Sequence, residues 1–260
     1  MYIVFDIGGT NMRVAAATKE SVGEVRKVKT PQDLTETIVL LSSIGKELAP
    51  SIEGAAGCIP GEIDAERGIY DAHNRPEWNG RHIDTELAEA LGVPVTVGHD
   101  CAVIGVGEFY SGAGKGSHRM AYATVSTGVG AALIVEGRMV PPDDFFLGHV
   151  ALPGGELEGL VSGTAVRKKF GIEPKDLESL DERNTLADIL AAGLVPLCEK
   201  WSPDTIVLGG SMIVGVNPIP LDRVMATLAT LMQNPPVIKM AELKDSGGLE
   251  GGRILAAQSA

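Results

Sequence analysis

The residues best suited to chemistry in this sequence are three small-residue turns and one aspartate. The first turn, Asp6-Ile7-Gly8-Gly9-Thr10, closes the apolar run Tyr2–Ile7. Two glycines in a turn let backbone N–H groups approach an anion with no Cβ in the way. Thr10 and Asn11 add side-chain donors. Asp6, at the strand end, is placed to hold Mg²⁺ through water, because Mg²⁺ keeps much of its hydration shell. An ordinary hairpin turn would carry the same residues. The second turn, Thr127-Gly128-Val129-Gly130, repeats the pattern between two further apolar runs. Two such turns facing each other can hold a polyphosphate from both sides. The third, Gly209-Gly210, follows the apolar run Thr205–Leu208. It would let an adenosine pass close to the backbone, and a plain strand-to-helix turn would look alike. No GxxxxGK followed by Ser or Thr occurs, so a nucleotide site here is not of the P-loop kind.

Asp100 stands where the apolar run Val93–Val97 gives way to a helical pattern over Cys101–Tyr110. Open α/β folds place ligands outside the carboxyl ends of strands. Phosphoryl transfer to a hydroxyl uses a carboxylate to position and deprotonate the attacking oxygen. A helix N-cap would occupy the same position.

The elements that must hold these residues follow from periodicity. Tyr2–Ile7 and Met12–Thr18 form a two-strand ribbon about the first turn. Thr30 caps a helix with Pro31 in its first position, and Leu34, Ile38, Leu41 and Leu48 recur along it. Ile52–Ile59 is a buried strand ending at Pro60-Gly61. Asp84 starts a helix that Gly92 ends. A glycine-rich turn over 112–116 leads to a second strand–turn–strand, Arg119–Ser126 and Val129–Val135. Asn184 caps a long helix to Trp201, and Leu249–Gln258 is a last helix, weakened by Gly251 and Gly252. Each half thus begins with an apolar strand, a small-residue turn and a second strand. That echo points to a duplicated α/β unit with a cleft between the copies and a boundary near residue 98.

Bulk properties exclude several classes. The formal net charge of −12 repels nucleic acid and anionic lipid unless a basic patch is built locally. The densest basic stretch, Arg167, Lys168 and Lys169, reads as one exposed helix face. No apolar run is long enough to span a bilayer, and the N-terminus lacks the basic region and cleavage site of a signal peptide. Three scattered cysteines, Cys58, Cys101 and Cys198, imply a reduced, cytoplasmic chain with no metal held at sulfur.

In order and spacing, these motifs resemble the ROK family of sugar kinases, within the actin-like ATPase superfold, over nearly the whole chain. Asp6-Ile7-Gly8-Gly9-Thr10 resembles its first phosphate motif and Ser126-Thr127-Gly128-Val129-Gly130 its second. Gly57-Cys58-Ile59-Pro60-Gly61 resembles its G-x-P-G turn beside the sugar, and Asn74 with Trp78 the Asn and Trp that follow it. His99-Asp100-Cys101 sits where the family has Asn-Asp-Ala, continued by Gly105-Val106-Gly107-Glu108. Ile206-Val207-Leu208-Gly209-Gly210 resembles the adenosine motif.

The resemblance implies an α/β fold of two ribonuclease H-like, duplicated βββαβα units with a cleft between the lobes. One lobe would span 1–98, with the helix over 249–260 returning to it, and the other 99–248. It implies ATP and Mg²⁺ as cofactors and Asp100 as the catalytic base. Gly61, Asn74, His99, Asp100, His149 and Glu158 would contact the sugar. Asp6, Gly8, Gly9, Thr10, Asn11, Thr127, Gly128, Gly130, Gly209 and Gly210 would contact the nucleotide. A homodimer is implied in the same way, and neither nucleic acid nor membrane is expected as a partner.

Departures from the pattern bear on the sugar. Leu147-Gly148-His149 looks like the end of the family's E-x-G-H motif, with Phe146 where the glutamate would be. Glu156-Leu157-Glu158 and Ser162-Gly163 resemble a C-L-E…S-G segment, but there is no Cys between His149 and Glu158, so the family's zinc loop is absent. Phe146 accepts no hydroxyl hydrogen bond, which opens the site to an acyl-bearing or deoxy sugar. Inorganic polyphosphate would suit the glycine turns as well as ATP. Two other functions fit less of the sequence. A non-enzymatic sugar sensor would explain the altered motifs, although Tyr2 already begins the first strand, with no helix-turn-helix ahead of it. An ATPase machine would need further subdomains.

Overall fold

The structure is a computed structural model that describes residues 1–64, 69–71, 75–141 and 143–259. The chain divides into two compact units, Met1–Gly107 with Asp245–Ala260, and Glu108–Lys244.

In the first unit, β1 (Tyr2–Ile7), β2 (Asn11–Ala17) and β3 (Val22–Lys29) form an antiparallel meander. Helix α1 (Leu34–Leu48) leads to β4 (Gly54–Ile59), which pairs parallel to β1. A small hairpin, β5 (Glu62–Asp64) and β6 (Ile69–Asp71), and helix α2 (Ile83–Leu91) precede β7 (Val95–His99), parallel to β4. The sheet order is β3-β2-β1-β4-β7. Helix α3 (Asp100–Ser111) follows β7 with no intervening loop, so Asp100 belongs to the first unit.

Both faces of β1 are buried, which is why it reads as a continuous apolar run. Ile3, Phe5 and Ile7 pack with Leu41 of α1 and Leu87 of α2, while Val4 packs on the opposite face with Ala15, Ala17 and Leu249. The strand β3 is absent from the sequence reading. Its residues Arg26, Lys27 and Lys29 lie on the sheet edge, mostly exposed, so no apolar alternation marks it.

In the second unit, β8 (Arg119–Val125), β9 (Val129–Val135) and β10 (Arg138–Met139) form another antiparallel meander. A one-turn 3₁₀ helix (Leu147–His149) and a short hairpin, β11 (Ala151–Leu152) and β12 (Gly155–Glu156), lead to α4 (Leu157–Val161) and α5 (Gly163–Phe170). Helix α6 (Leu180–Trp201) precedes β13 (Thr205–Gly209), and α7 (Ser211–Val214) and α8 (Leu221–Leu231) precede β14 (Val237–Met240). β13 is parallel to both β8 and β14, and the order is β10-β9-β8-β13-β14. The five-stranded sheet of each unit therefore has three antiparallel strands followed by two parallel to the first. The core of the second unit joins Ala121, Val125, Ile206 and Leu208 of the sheet to Leu190 and Leu194 of α6. Arg167, Lys168 and Lys169 lie exposed on α5.

The last helix, α9 (Gly247–Ser259), packs on β1 and β4 in the first unit. Gly251 and Gly252 are its contact face. A Cβ at Gly251 would sit 1.9 Å from the Val103 carbonyl oxygen, and one at Gly252 2.7 Å from that of Ala56. Residues that weaken the isolated helix are what let its backbone dock.

Two expected caps are corrected. Helix α1 is capped by Asp33, whose Oδ1 accepts the Glu36 N–H at 2.9 Å, not by Thr30. Helix α6 starts one turn earlier than expected and is capped by Ser179, with Asn184 inside it. In both places a second capping-type residue with Glu three positions on was the stronger start signal. Among the described residues, no helix is long and apolar enough to cross a membrane.

Candidate active site

Parallel pairing in the first unit brings three strand ends into line. Asp6 of β1 is in register with Cys58 of β4, and Cys58 and Ile59 with Gly98 and His99 of β7. Asp100 is the next residue, at the start of α3. Its Oδ1 accepts the Cys101 N–H at 2.6 Å and lies 3.3 Å from His99 Nε2. The carboxylate is part-exposed and so open to a ligand. Gly61 follows the end of β4 with a φ of 99°, which only glycine adopts readily.

The turn between β1 and β2 is held from one side. Thr30 donates through Oγ1 to the Gly8 carbonyl at 2.8 Å and through N–H to the Thr10 carbonyl at 3.1 Å. Arg75 Nη2 donates to the Gly9 carbonyl at 2.6 Å. In a trans peptide the N–H points opposite to the preceding C=O. Fixing the Gly8 and Gly9 carbonyls towards Thr30 and Arg75 therefore turns the Gly9 and Thr10 N–H groups the other way. That is the arrangement an anion site needs. Asn11 follows as the first residue of β2.

Asp6 is largely buried beside this turn. Its Oδ2 pairs with Arg13 Nη1 at 3.2 Å and its Oδ1 accepts the Cys58 thiol at 3.4 Å. Burial raises the Asp6 carboxyl above its ordinary range. Arg13 and the Cys58 hydrogen bond act against the rise, and the charges of Asp100 and Asp245 add to it. Burial also pushes the Cys58 and Cys101 thiols well up, so both stay neutral. Carboxylate oxygens are the donors Mg²⁺ takes. Asp6, Asp100 and Asp245 outweigh the one guanidinium of Arg13, so the locality suits a cation. With both Asp6 oxygens engaged, a hydrated Mg²⁺ fits through water and not by direct contact.

The second unit builds its turn in the same way from different parts. The Ser126 carbonyl accepts the Gly163 N–H at 2.7 Å, and the Thr127 carbonyl accepts Thr164 Oγ1 at 2.7 Å. The start of α5 thus faces the carbonyls, and the Thr127 and Gly128 N–H groups point away from it. The Val129 N–H is already taken by Glu158 Oε2 at 2.8 Å. Gly130 lies within β9, opposite Thr124. Gly148 packs on the Val129 carbonyl and on Glu158, which places the 3₁₀ turn carrying His149 against this loop. His149 Nδ1 lies 3.1 Å from Glu156 Oε2, and the Phe146 ring meets the His149 ring edge to face.

Gly209 and Gly210 have internal reasons to be glycine. A Cβ at Gly209 would meet the Tyr122 hydroxyl at 2.3 Å, and Gly210 has a φ of 87° against Thr124 and Val125. The pair ends β13 and opens α7, as a strand-to-helix turn does.

Asn74 lies outside the described residues. Trp78 is fully buried and donates from its indole to the Gln32 carbonyl at 2.8 Å. Three positioning residues escaped the sequence reading: Arg13, Arg75 and Glu156. Arg13 had a signal, because a hairpin closed over 8–10 puts residue 13 directly opposite Asp6. Arg75 acts on residues far along the chain, with no local pattern to mark it, and Glu156, at the start of the C-L-E-like segment, acts on His149 seven positions back.

The ROK family profile matches residues 2–259. An N-acetylgalactosamine kinase of Shewanella is 25% identical over 299 residues, covering 98% of this chain and 96% of that protein. A glucokinase of Thermotoga maritima is 26% identical over 260 residues, covering 80% of each. The crystal structure of a Streptomyces griseus ROK family glucokinase with glucose and AMPPNP superposes with a TM-score of 0.81 at 21% identity, covering 99% of both chains. Its fold is the duplicated, actin-like α/β architecture described above.

Proposed function

Since the chain belongs to the ROK family, we propose that it transfers the γ-phosphoryl group of ATP to a hydroxyl of a hexose or hexose derivative, with Asp100 as general base. The observation that carries this reading is the alignment, within one unit, of Asp100, Asp6 and the Gly8-Gly9 turn at the carboxyl ends of β7 and β1. The two named relatives agree in chemistry and differ in sugar.

Asp100 accepts the proton of the attacking hydroxyl. The hydroxyl oxygen bonds to the γ-phosphorus, the bond from that phosphorus to the β,γ-bridging oxygen breaks, and ADP leaves. Oδ1 holds the Cys101 N–H, which assigns the proton to Oδ2. The N–H groups of Gly9, Thr10, Thr127 and Gly128 bind phosphate oxygens, with Gly8, Asn11 and Gly130 beside them. Gly209 and Gly210 lie along the adenosine. Asp6 would hold Mg²⁺ through water, and the ion would supply charge to offset that of the phosphates. Gly61, Asn74, His99, His149 and Glu158 contact the sugar, and the apolar Phe146 favours an acyl-bearing or deoxy position nearby.

A coupled ADP-release assay over hexoses, N-acylhexosamines and ketohexoses tests this. At least one sugar should release ADP in proportion to sugar phosphate formed. Intact ATP binding with no sugar turned over would overturn it and favour a sugar-sensing protein.

A further inference from the structure

His149 is an exposed side chain on a one-turn 3₁₀ helix, yet its ring is held on two sides. Phe146 packs against it with ring centroids 6.0 Å apart and planes at 83°. Glu156 Oε2 lies 3.1 Å from Nδ1. Both supports are built into the backbone. The His149 N–H donates to the Phe146 carbonyl at 3.0 Å, and Glu156 is brought back by the β11–β12 hairpin, in register with Ala151. Two residues further on, Glu158 holds the Val129 N–H of the second turn.

We infer that Glu156 is a positioning residue that fixes His149 in the Nδ1–H tautomer, so that Nε2 stands as a hydrogen-bond acceptor for a sugar hydroxyl. The inference rests on the reading of His149 as a sugar contact. A carboxylate has no proton to give at neutral pH, so a neutral imidazole facing it must donate from Nδ1. Nε2, across the ring, then carries the lone pair. An acceptor at this place compensates for Phe146, which offers none. The pair is exposed, so its contribution to stability is small, and its effect lies in which nitrogen faces the ligand.

The test uses the full-length protein and its Glu156→Ala, Glu156→Gln and His149→Ala variants. Long-range ¹⁵N–¹H spectra of the histidine rings report the tautomer without any sugar. Steady-state kinetics use whichever of D-glucose, D-fructose and N-acetyl-D-glucosamine the unmodified protein turns over fastest. His149 should be the Nδ1–H tautomer in the unmodified protein and in Glu156→Gln, whose amide oxygen still accepts, and should shift towards the other tautomer in Glu156→Ala. KM for the sugar should rise about 5-fold in Glu156→Ala, the equivalent of one hydrogen bond, with kcat within about 2-fold and rescue in Glu156→Gln. An unchanged tautomer in Glu156→Ala overturns the inference. So does a changed tautomer with unchanged KM when His149→Ala raises KM. If the tautomer changes and neither variant alters KM, His149 is not a sugar contact, and both the underlying reading and the role drawn from it fall.

Discussion

Glu158 Oε2 accepts the Val129 N–H at 2.8 Å, which puts a carboxylate against the turn whose neighbouring N–H groups we assign to phosphate. A Cβ at Gly128 would come within 2.5 Å of that oxygen. Gly128 is not among the described residues with positive φ, so alanine suits its backbone. What must yield is the far end of a glutamate side chain, which gives up one exposed hydrogen bond and is cheap for folding. Gly128→Ala should therefore shift the melting temperature by less than about 3 °C, under ~1 kcal/mol for a chain of this size. It should lower kcat/KM for the sugar at least ~10-fold, because Glu158 is displaced. Calorimetry and steady-state kinetics on one preparation check both. Unchanged kcat/KM would remove Glu158 from the site.

Asp100 both holds the Cys101 N–H at the start of α3 and is the assigned base, and two substitutions separate these roles. Asparagine keeps an acceptor oxygen for that N–H but takes no proton. Asp100→Asn should melt close to the unmodified protein, yet lose about 10²- to 10⁴-fold in kcat. Asp100→Ala should lose the same activity and also about 1 kcal/mol of stability, because the Cys101 N–H loses its acceptor. If Asp100→Asn keeps near-full kcat, Asp100 only holds the Cys101 N–H.

Asp6 makes a prediction about pH and stability. Burial raises its folded-state carboxyl above the usual 3.8. A raised acid favours the folded state while it is protonated. That stability is complete below the unfolded value and lost as pH rises through the folded one. At neutral pH the ionised Asp6 is therefore a net cost to folding. Asp6→Asn should melt higher than the unmodified protein at pH 7, with the gain shrinking towards pH 4. It should also be catalytically impaired if Mg²⁺ is held there. Thermal melts at the two pH values decide, and a gain that grows on acidification contradicts the assigned direction.

How much of this was legible in the sequence differs by residue. The strand–turn–strand devices at Gly8-Gly9 and Gly128 stood out, because glycine freedom and apolar alternation are local properties. So was the strand-end position of Asp100. Thr30 has the look of a cap because it precedes a proline, but its hydroxyl instead pins Gly8, a contact between residues 22 positions apart. Gly251 and Gly252 counted as helix weakness, since propensity is blind to the Val103 and Ala56 carbonyls that the helix must approach. Arg13, Arg75 and Glu156 escaped because they act by holding other residues. Arg75 reaches Gly9 across 66 positions, which no local pattern marks, whereas hairpin register alone puts Arg13 opposite Asp6.

Arg75 gives the strongest stability prediction. It is 4% exposed, and its guanidinium donates to the carbonyls of Pro31 at 2.8 Å and Gly9 at 2.6 Å. It also stacks over Trp78, 4.8 Å from the ring centroid. Each charge-assisted bond is worth about 1.5–3 kcal/mol, and removing the donor leaves part-buried carbonyls without it. Arg75→Met, which keeps the apolar stem, should lose about 3 kcal/mol or more in urea denaturation. Arg75→Lys should fall between, because one ammonium lacks the planar fork that spans both carbonyls. The carbonyl of Gly9 sets the direction of the Thr10 N–H. The surviving folded Arg75→Lys enzyme should therefore show a raised KM for ATP, with a smaller change in KM for the sugar. Equal increases for both substrates would mean that Arg75 supports the fold alone. Full stability of Arg75→Met with unchanged ATP affinity would show that the first turn keeps its shape without it.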